Sequence, residues 1–226
     1  MRYNNRGNRA FWGKFMAIVT EIKEFKGIIT LSLDGMQWQK VRKKHFGKLP
    51  LELGQELDPE EYTDRMATIQ SADCYEAALT MLDQAAQTSG NLCRKLMQKG
   101  YVAPVAEATV ARLVENRLID DRRYAERIAQ TQMGRSVGAY AVRRKLRAKL
   151  LSEEDVEAAM EGFDEAQQAA ACREAAAKLW RKYESLPPRE GRAKLSQALA
   201  RRGFGWDDIR SAVDNLADDT DFEDGF

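Results

Sequence analysis

One pattern of apolar positions occurs three times along the chain, with the same spacing each time. Its first two positions lie four residues apart, which places them on one face of a helix. The positions are Leu92, Leu96, Tyr101, Ala106, Val110 and Leu113, then Val142, Leu146, Leu151, Val156, Met160 and Phe163, then Leu195, Leu199, Phe204, Ile209, Val213 and Leu216. A helical unit that recurs about every fifty residues indicates an array, because a single unit cannot bury its apolar face without its neighbours.

Each unit is predicted to contain three helices. A tight turn interrupts each pattern, where Gly100 and Gly203 suit the left-handed conformation that ends a helix. Ser152 and the acidic residues after it are typical of the start of the next helix. A further helix-compatible run precedes each pair, at residues 74–87, 121–133 and 165–183. The predicted fold is therefore mainly α, with three tandem three-helix repeats in an elongated, curved array.

Strand periodicity marks the first seventy residues instead. Apolar residues alternate with others from Met16 to Ile22 and again from Ile29 to Leu33. The Asp34-Gly35 pair then suits a two-residue hairpin turn. Asp58, followed by proline and two glutamates, indicates a helix start, and we expect this helix to end near Ser71. A small β-rich module is therefore predicted before the helical array.

These patterns predict six segments. The first is a basic tail and the last an acidic tail, and between them lie the β-rich module with its following helix and the three repeats. The predicted segments are residues 1–15, 16–72, 73–118, 119–164, 165–216 and 217–226.

Three stretches of the helical region resemble one known family. They are Leu118-Ile119-Asp120-Asp121 with Tyr124-Ala125, then Gly138 with Val142-Arg143-Arg144-Lys145-Leu146, then Leu199-Ala200-Arg201-Arg202-Gly203-Phe204. In this order they resemble the RecX family of regulators of the bacterial recombinase RecA. The resemblance implies a monomeric cytoplasmic protein that binds RecA filaments on single-stranded DNA and inhibits recombinase, ATPase and co-protease activity in DNA repair, homologous recombination and the SOS response.

Positive charge is unevenly distributed, although the formal net charge is only +1. Basic residues crowd the middle unit and recur at the turn of the last one. We predict that they bind the RecA filament or DNA phosphates, because cationic side chains displace the counterions condensed on a nucleic acid. The candidate residues are Arg122, Arg123, Arg127, Arg143, Arg144, Lys145, Arg147, Lys149, Arg201 and Arg202. The alternative interpretation is an ordinary solvated helix face.

Four aromatic residues also have two interpretations. Tyr101, Tyr124, Phe204 and Trp206 are able to stack on nucleic-acid bases, but their positions in or beside the apolar pattern favour packing in the core. The acidic C-terminal tail is predicted to be a solubilising segment, with docking into a basic pocket as the alternative.

No motif of an enzyme is recognisable. His45, the only histidine, lies in a lysine-rich stretch that predicts a solvated position, and Lys99-Gly100 lacks the other residues of a phosphate-binding loop. We expect no catalysis, cofactor or metal, and the chain has no apolar run of the roughly 20 residues that a membrane span requires. Two other functions stay open: a helix-turn-helix protein that binds DNA without RecA, and an α-helical scaffold that binds only protein.

Overall fold

The computed structural model describes residues 16–133 and 136–221. These divide into two compact units, with the boundary between Asp120 and Asp121. The first unit contains the strands and the first group of helices, and the second contains six further helices. No helix in the described ranges is long and apolar enough to cross a membrane.

Four antiparallel strands open the first unit. They are β1 (Ala17–Phe25), β2 (Ile28–Leu33), β3 (Met36–Arg42) and β4 (Glu56–Leu57), in the sheet order β3-β2-β1-β4. Asp34 and Gly35 both have positive φ, at 47° and 80°, which is the backbone of the predicted hairpin turn between β2 and β3. The predicted β-rich module is confirmed.

Four helices complete the first unit. They are α1 (Lys43–Phe46), α2 (Pro59–Gln84), α3 (Ser89–Gln98) and α4 (Ala103–Glu115). Asp58 caps α2 as predicted, since its carboxylate accepts the backbone N–H groups of Glu60 and Glu61 at 2.8 and 3.2 Å. Strands and helices share one apolar core, which runs from Ala17 to Ile119.

The prediction that one helix ends near Ser71 and another begins at Cys74 is wrong. Helix α2 continues through both positions, and its 26 residues join the β-rich module to the first helical group. Its buried residues are spaced three or four apart throughout, so they form one uninterrupted stripe, and no glycine or proline follows Pro59 to break it. The buried residues are Pro59, Tyr62, Met66, Gln70, Cys74, Ala78 and Met81.

The second unit consists of two three-helix groups. Its helices are α5 (Asp121–Met133), α6 (Ala139–Ala148), α7 (Glu153–Met160), α8 (Glu165–Trp180), α9 (Pro188–Arg201) and α10 (Trp206–Asp221). Each group has its own apolar core, one built on α5 to α7 and the other on α8 to α10. The repeated apolar positions are buried in all three groups, apart from Phe163 and Leu216, which are partly buried against those cores.

The turn after the second helix of each group has the same backbone conformation. Gly100, Leu150 and Gly203 occupy equivalent positions, with φ of 85°, 59° and 83°. A leucine in this left-handed region costs about 1–2 kcal/mol relative to a residue without a Cβ. The middle group therefore keeps the turn with a leucine where the other two groups have glycine.

Hydrogen bonds at the Gly100 turn connect the strands and helices of the first unit. The Gln70 amide nitrogen donates to the Gly100 carbonyl at 2.9 Å, and its oxygen accepts the Val102 N–H at 2.8 Å. The Arg42 N–H also donates to the Gly100 carbonyl, at 3.2 Å. Gln70 and Val102 are fully buried or nearly so, hence losing either bond would leave an unsatisfied polar group in the core.

His45 is buried in the first unit, so the solvated position predicted for it is wrong. Only 2% of its surface is exposed, and its Nε2 lies 3.2 Å from Asp73 Oδ2. Among the described residues its Nδ1 has no hydrogen-bond partner, which fits a neutral ring. Burial lowers the pKa of His45 below its ordinary value of 6.5, and the negative charge of Asp73 opposes that effect.

We expect the first unit to lose stability as the pH falls below 6.5, because the unfolded chain then binds a proton that the folded His45 resists. Replacing His45 with glutamine removes this dependence, since glutamine stays neutral. Urea unfolding of both proteins at several values between about pH 7 and about pH 5 measures it. The pKa of Asp73 is lowered from 3.8, so its own contribution is lost only in more acidic solution. Parallel pH profiles for the two proteins would contradict the assignment.

Candidate nucleic-acid interface

Helix α6 presents the densest group of predicted binding residues. Val142 and Leu146 are buried on its inner face, and the basic residues lie on the remaining surface. The arginines nearest α7 form ion pairs with it. Arg143 Nη2 lies 2.9 Å from Glu157, and Arg147 donates from Nε and Nη2 to the two carboxylate oxygens of Glu153 at 3.1 and 2.8 Å.

These ion pairs are on the surface rather than enclosed. The side chains of Arg143 and Arg147 are 33% and 52% exposed, and their glutamate partners are more than half exposed. Pairs of this kind contribute about 0–1 kcal/mol, so a phosphate is able to compete with the carboxylate for the guanidinium group. They do, however, reduce the local excess of positive charge.

Arg144 and Lys145 are the uncompensated cations of α6. Both are exposed, and neither side chain has an ion-pair or hydrogen-bond partner within residues 16–133 and 136–221. Arg201 and Arg202 at the end of α9 also have no side-chain partner over those ranges, and Arg201 is exposed whereas Arg202 is half-buried. These four residues therefore have positive charge that no described acidic side chain compensates, and that charge is available to a phosphate-bearing ligand.

The remaining predicted residues lie on α5 and at the end of α6. Arg122 lies 3.4 Å from Glu126 one turn later on α5, and the Arg127 guanidinium lies 5.5 Å from the ring centroid of Tyr124. Arg123 is exposed on the same helix, and Lys149 is half-buried at the end of α6. The structure thus distributes the predicted residues over three helices of the second unit.

A contact between two glycines fixes α6 against the turn between α9 and α10. The Gly138 N–H donates to the Arg202 carbonyl at 3.0 Å, and the Tyr140 N–H donates to the Gly203 carbonyl at 3.1 Å. A Cβ on Gly138 would overlap the Gly203 carbonyl, and one on Gly203 would overlap the Ala141 backbone. We call this contact the glycine joint. It connects the helix that has Arg144 to the turn that follows Arg201.

The aromatic residues divide into two sets. Tyr101 and Phe204 are buried, which confirms the prediction of core packing, and Tyr124 is half-buried against the core of its own group. For Trp206 that prediction is wrong, because the side chain is 66% exposed at the start of α10. Tyr140, which sequence reasoning missed, is also 66% exposed. The available signal was its position two residues before the buried Val142, on the opposite side of the helix.

The two predicted tails lie wholly or partly outside the described residues. The basic segment 1–15 and residues 222–226 lie outside the described residues, and α10 extends as far as Asp221 into the predicted acidic tail. In the part of the chain that the structure describes, no group of three or more histidine, cysteine, aspartate or glutamate residues is arranged to hold a metal ion.

Models of three RecX domains match the helical groups in order. The first three-helix domain matches residues 74–113, the second 120–160 and the third 165–213. Together they cover more than half of the chain. The chain belongs to the RecX family. It is mainly α-helical, with three RecX three-helix domains that follow a small antiparallel strand module, as predicted.

Relatives of the RecX family match over most of their length. "Regulatory protein RecX" of Limosilactobacillus reuteri (strain DSM 20016) is 27% identical over 204 residues, which are 90% of this chain and 77% of the relative. "Regulatory protein RecX" of Streptococcus pneumoniae (strain CGSP14) is 28% identical over 207 residues, 91% of this chain and 79% of the relative. These names assign the RecX family a regulatory role.

Solved RecX structures have the same fold. A crystal structure of regulatory protein RecX superposes with a TM-score of 0.59 at 27% identity, and covers 88% of this chain and 99% of the other. The crystal structure of RecX from Lactobacillus salivarius gives a TM-score of 0.58 at 24% identity over 66% of this chain and 97% of the other. The ion-paired and unpaired arginines of α6 lie in the second RecX domain.

Proposed function

We propose that this RecX protein binds RecA filaments assembled on single-stranded DNA and lowers their ATPase, strand-exchange and co-protease activities as a cytoplasmic, monomeric regulator. Membership of the RecX family supports a regulatory role, and the family resemblance implies RecA as the target. The single observation that supports a filament on DNA, rather than any other protein, is the exposed and uncompensated pair Arg144 and Lys145 on α6.

The chemistry of that surface suits phosphate. An arginine guanidinium is always charged and offers a planar pair of donors to phosphate or carboxylate oxygens. Arg143 and Arg147 are held by Glu157 and Glu153, which orients their guanidinium groups without neutralising the helix as a whole. In this proposal Arg144 and Lys145 contact the ligand first, and Arg201 and Arg202 contact it from the third domain.

Regulation then needs no catalytic group. A protein that binds an inactive or shortened filament more tightly than an active one shifts the population toward the state it prefers. Contacts on two domains of one chain raise the effective concentration of the second contact once the first is made, so modest local affinities combine.

We expect RecA ATP hydrolysis on single-stranded DNA to fall progressively as the protein is added, and to be strongly inhibited when its concentration approaches that of RecA protomers. A coupled ATPase assay measures this, with binding to RecA-coated and naked DNA followed in parallel. Binding to the coated strand should be at least about ten times tighter, because it adds protein contacts to phosphate contacts. Full ATPase activity at equal concentrations would refute the proposal, and equal affinity for naked DNA would favour a DNA-binding protein that acts without RecA.

A further inference from the structure

Two aromatic side chains are exposed in the second unit without a packing role. Among its described residues, Tyr140 and Trp206 are the large apolar side chains that remain mostly exposed, each at 66%. The other large apolar residues whose exposure the structure describes as high all belong to the first unit. Exposure of a flat amphipathic ring on a well-packed helical domain indicates a binding role more often than exposure of a small apolar group does.

The glycine joint places these two residues beside each other. Tyr140 donates its N–H to Gly203, three residues before Trp206. Its ring also lies over the segment that leads into α10, since a methyl group built on Gly205 would come 3.9 Å from Tyr140 Cε2. Tyr140 and Trp206 therefore lie at one short stretch of backbone, although they are 66 residues apart in the sequence.

Each ring has an arginine one helical turn later. Arg144 follows Tyr140 on α6 and Arg210 follows Trp206 on α10, and the i, i+4 spacing places each pair on one helix face. Both arginines are exposed, and neither side chain has a partner in the described part of the chain. Asp207 and Asp208 also follow Trp206 and weaken the attraction of Arg210 for a phosphate, so Arg144 on α6 is the stronger of the two phosphate contacts.

We propose that Tyr140 and Trp206 form a stacking platform for the bases of single-stranded nucleic acid, with Arg144 and Arg210 contacting the flanking phosphates. Aromatic rings next to cations are the combination that single-strand binding uses, because every base has a π-face and every nucleotide has a phosphate. A base stacks on an open ring, whereas an apolar side chain of a partner protein would need an enclosed pocket. The proposal deepens the proposed function by assigning this chain a direct contact with bases, and it is tested without RecA.

The test compares a fluorescently labelled deoxythymidine oligonucleotide with an abasic oligonucleotide of the same length, by anisotropy. Two stacked bases at about 1–3 kcal/mol each predict at least roughly tenfold tighter binding of the thymidine strand. The double variant Tyr140→Ser with Trp206→Ser should lose this preference and keep the residual phosphate binding. Tyr140→Phe with Trp206→Phe, which keeps both rings, should retain it. Phe25→Ser is the matched control, because Phe25 is 71% exposed in the first unit.

Three results would overturn the platform. They are equal affinity of the unaltered protein for both strands, a base preference that survives in the serine double variant, and loss of that preference in the Phe25 control. Circular dichroism of each variant excludes misfolding. Base preference without RecA inhibition would remove only the proposed function, and RecA inhibition without base preference would remove only the platform.

Discussion

Reversing three arginines of α6, by Arg143→Glu, Arg144→Glu and Arg147→Glu, is expected to weaken binding to RecA-coated single-stranded DNA by about 100-fold or more. Removing three phosphate contacts and adding three repelling charges accounts for a loss of this order. Inhibition of RecA ATP hydrolysis should fall in parallel. The measurement is a titration of ATPase activity together with anisotropy of labelled DNA in filaments.

The ion pairs of α6 make a finer test possible. Arg144→Glu alone removes no observed contact, so it reports binding without disturbing the fold, and we expect a loss of roughly tenfold together with a salt dependence reduced by about one phosphate equivalent. Lys40→Glu is its matched control, because Lys40 is exposed on β3 of the first unit and undergoes the same change of charge.

Arg147 requires a different control, since its reversal also places two glutamates together on α6 and α7. Combining Arg147→Glu with Glu153→Arg restores the ion pair and the net charge while moving the cation by one helix. If Arg147→Glu weakened binding only because it disturbed the fold, the double exchange, which restores the ion pair, would restore binding.

Undiminished inhibition of RecA by the triple variant would exclude an electrostatic interface and favour a scaffold that binds protein alone.

The limits of the sequence pattern are clearest at particular residues. Helical spacing identified the buried faces correctly, because burial of one face is a local property of each helix, as Val142 and Leu146 show. The sequence predicts a helix end near Ser71, whereas α2 continues through it. Two adjacent helices with apolar residues in the same phase give the same pattern as one long helix, so the pattern cannot locate such a boundary. His45 is buried next to Asp73, which is 28 residues away in the sequence. The lysines beside His45 in the sequence do not reveal that contact.

The candidate interface shows the same division. The sequence indicates which helix has the positive charge, but whether a given arginine is compensated depends on the next helix. Arg143 pairs with Glu157 on α7, whereas its neighbour Arg144 has no ion-pair partner among the described residues. Likewise, the apolar pattern alone does not show that the α9–α10 turn contacts the start of α6, or that Trp206 three residues after Gly203 is exposed.

Replacing Gly203 with alanine is expected to destabilise the second unit by about 2–5 kcal/mol. About 1–2 kcal/mol comes from a Cβ at φ of 83°. A further 1–3 kcal/mol, approximately, comes from forcing the new methyl group against the backbone of Ala141, which has no flexible end to move aside. Guanidinium unfolding followed by circular dichroism measures the change.

Two other glycines separate these contributions. Gly54 has φ of 82° and nothing within 4 Å of an added Cβ, so Gly54→Ala reports the backbone strain alone. Gly138 has φ of −78°, which any residue adopts, so Gly138→Ala reports the steric overlap alone. If Gly203→Ala costs no more than Gly54→Ala, the glycine joint contributes nothing to stability. If it costs more, and base preference falls with it, the joint both holds the second and third domains together and positions Tyr140 beside Trp206.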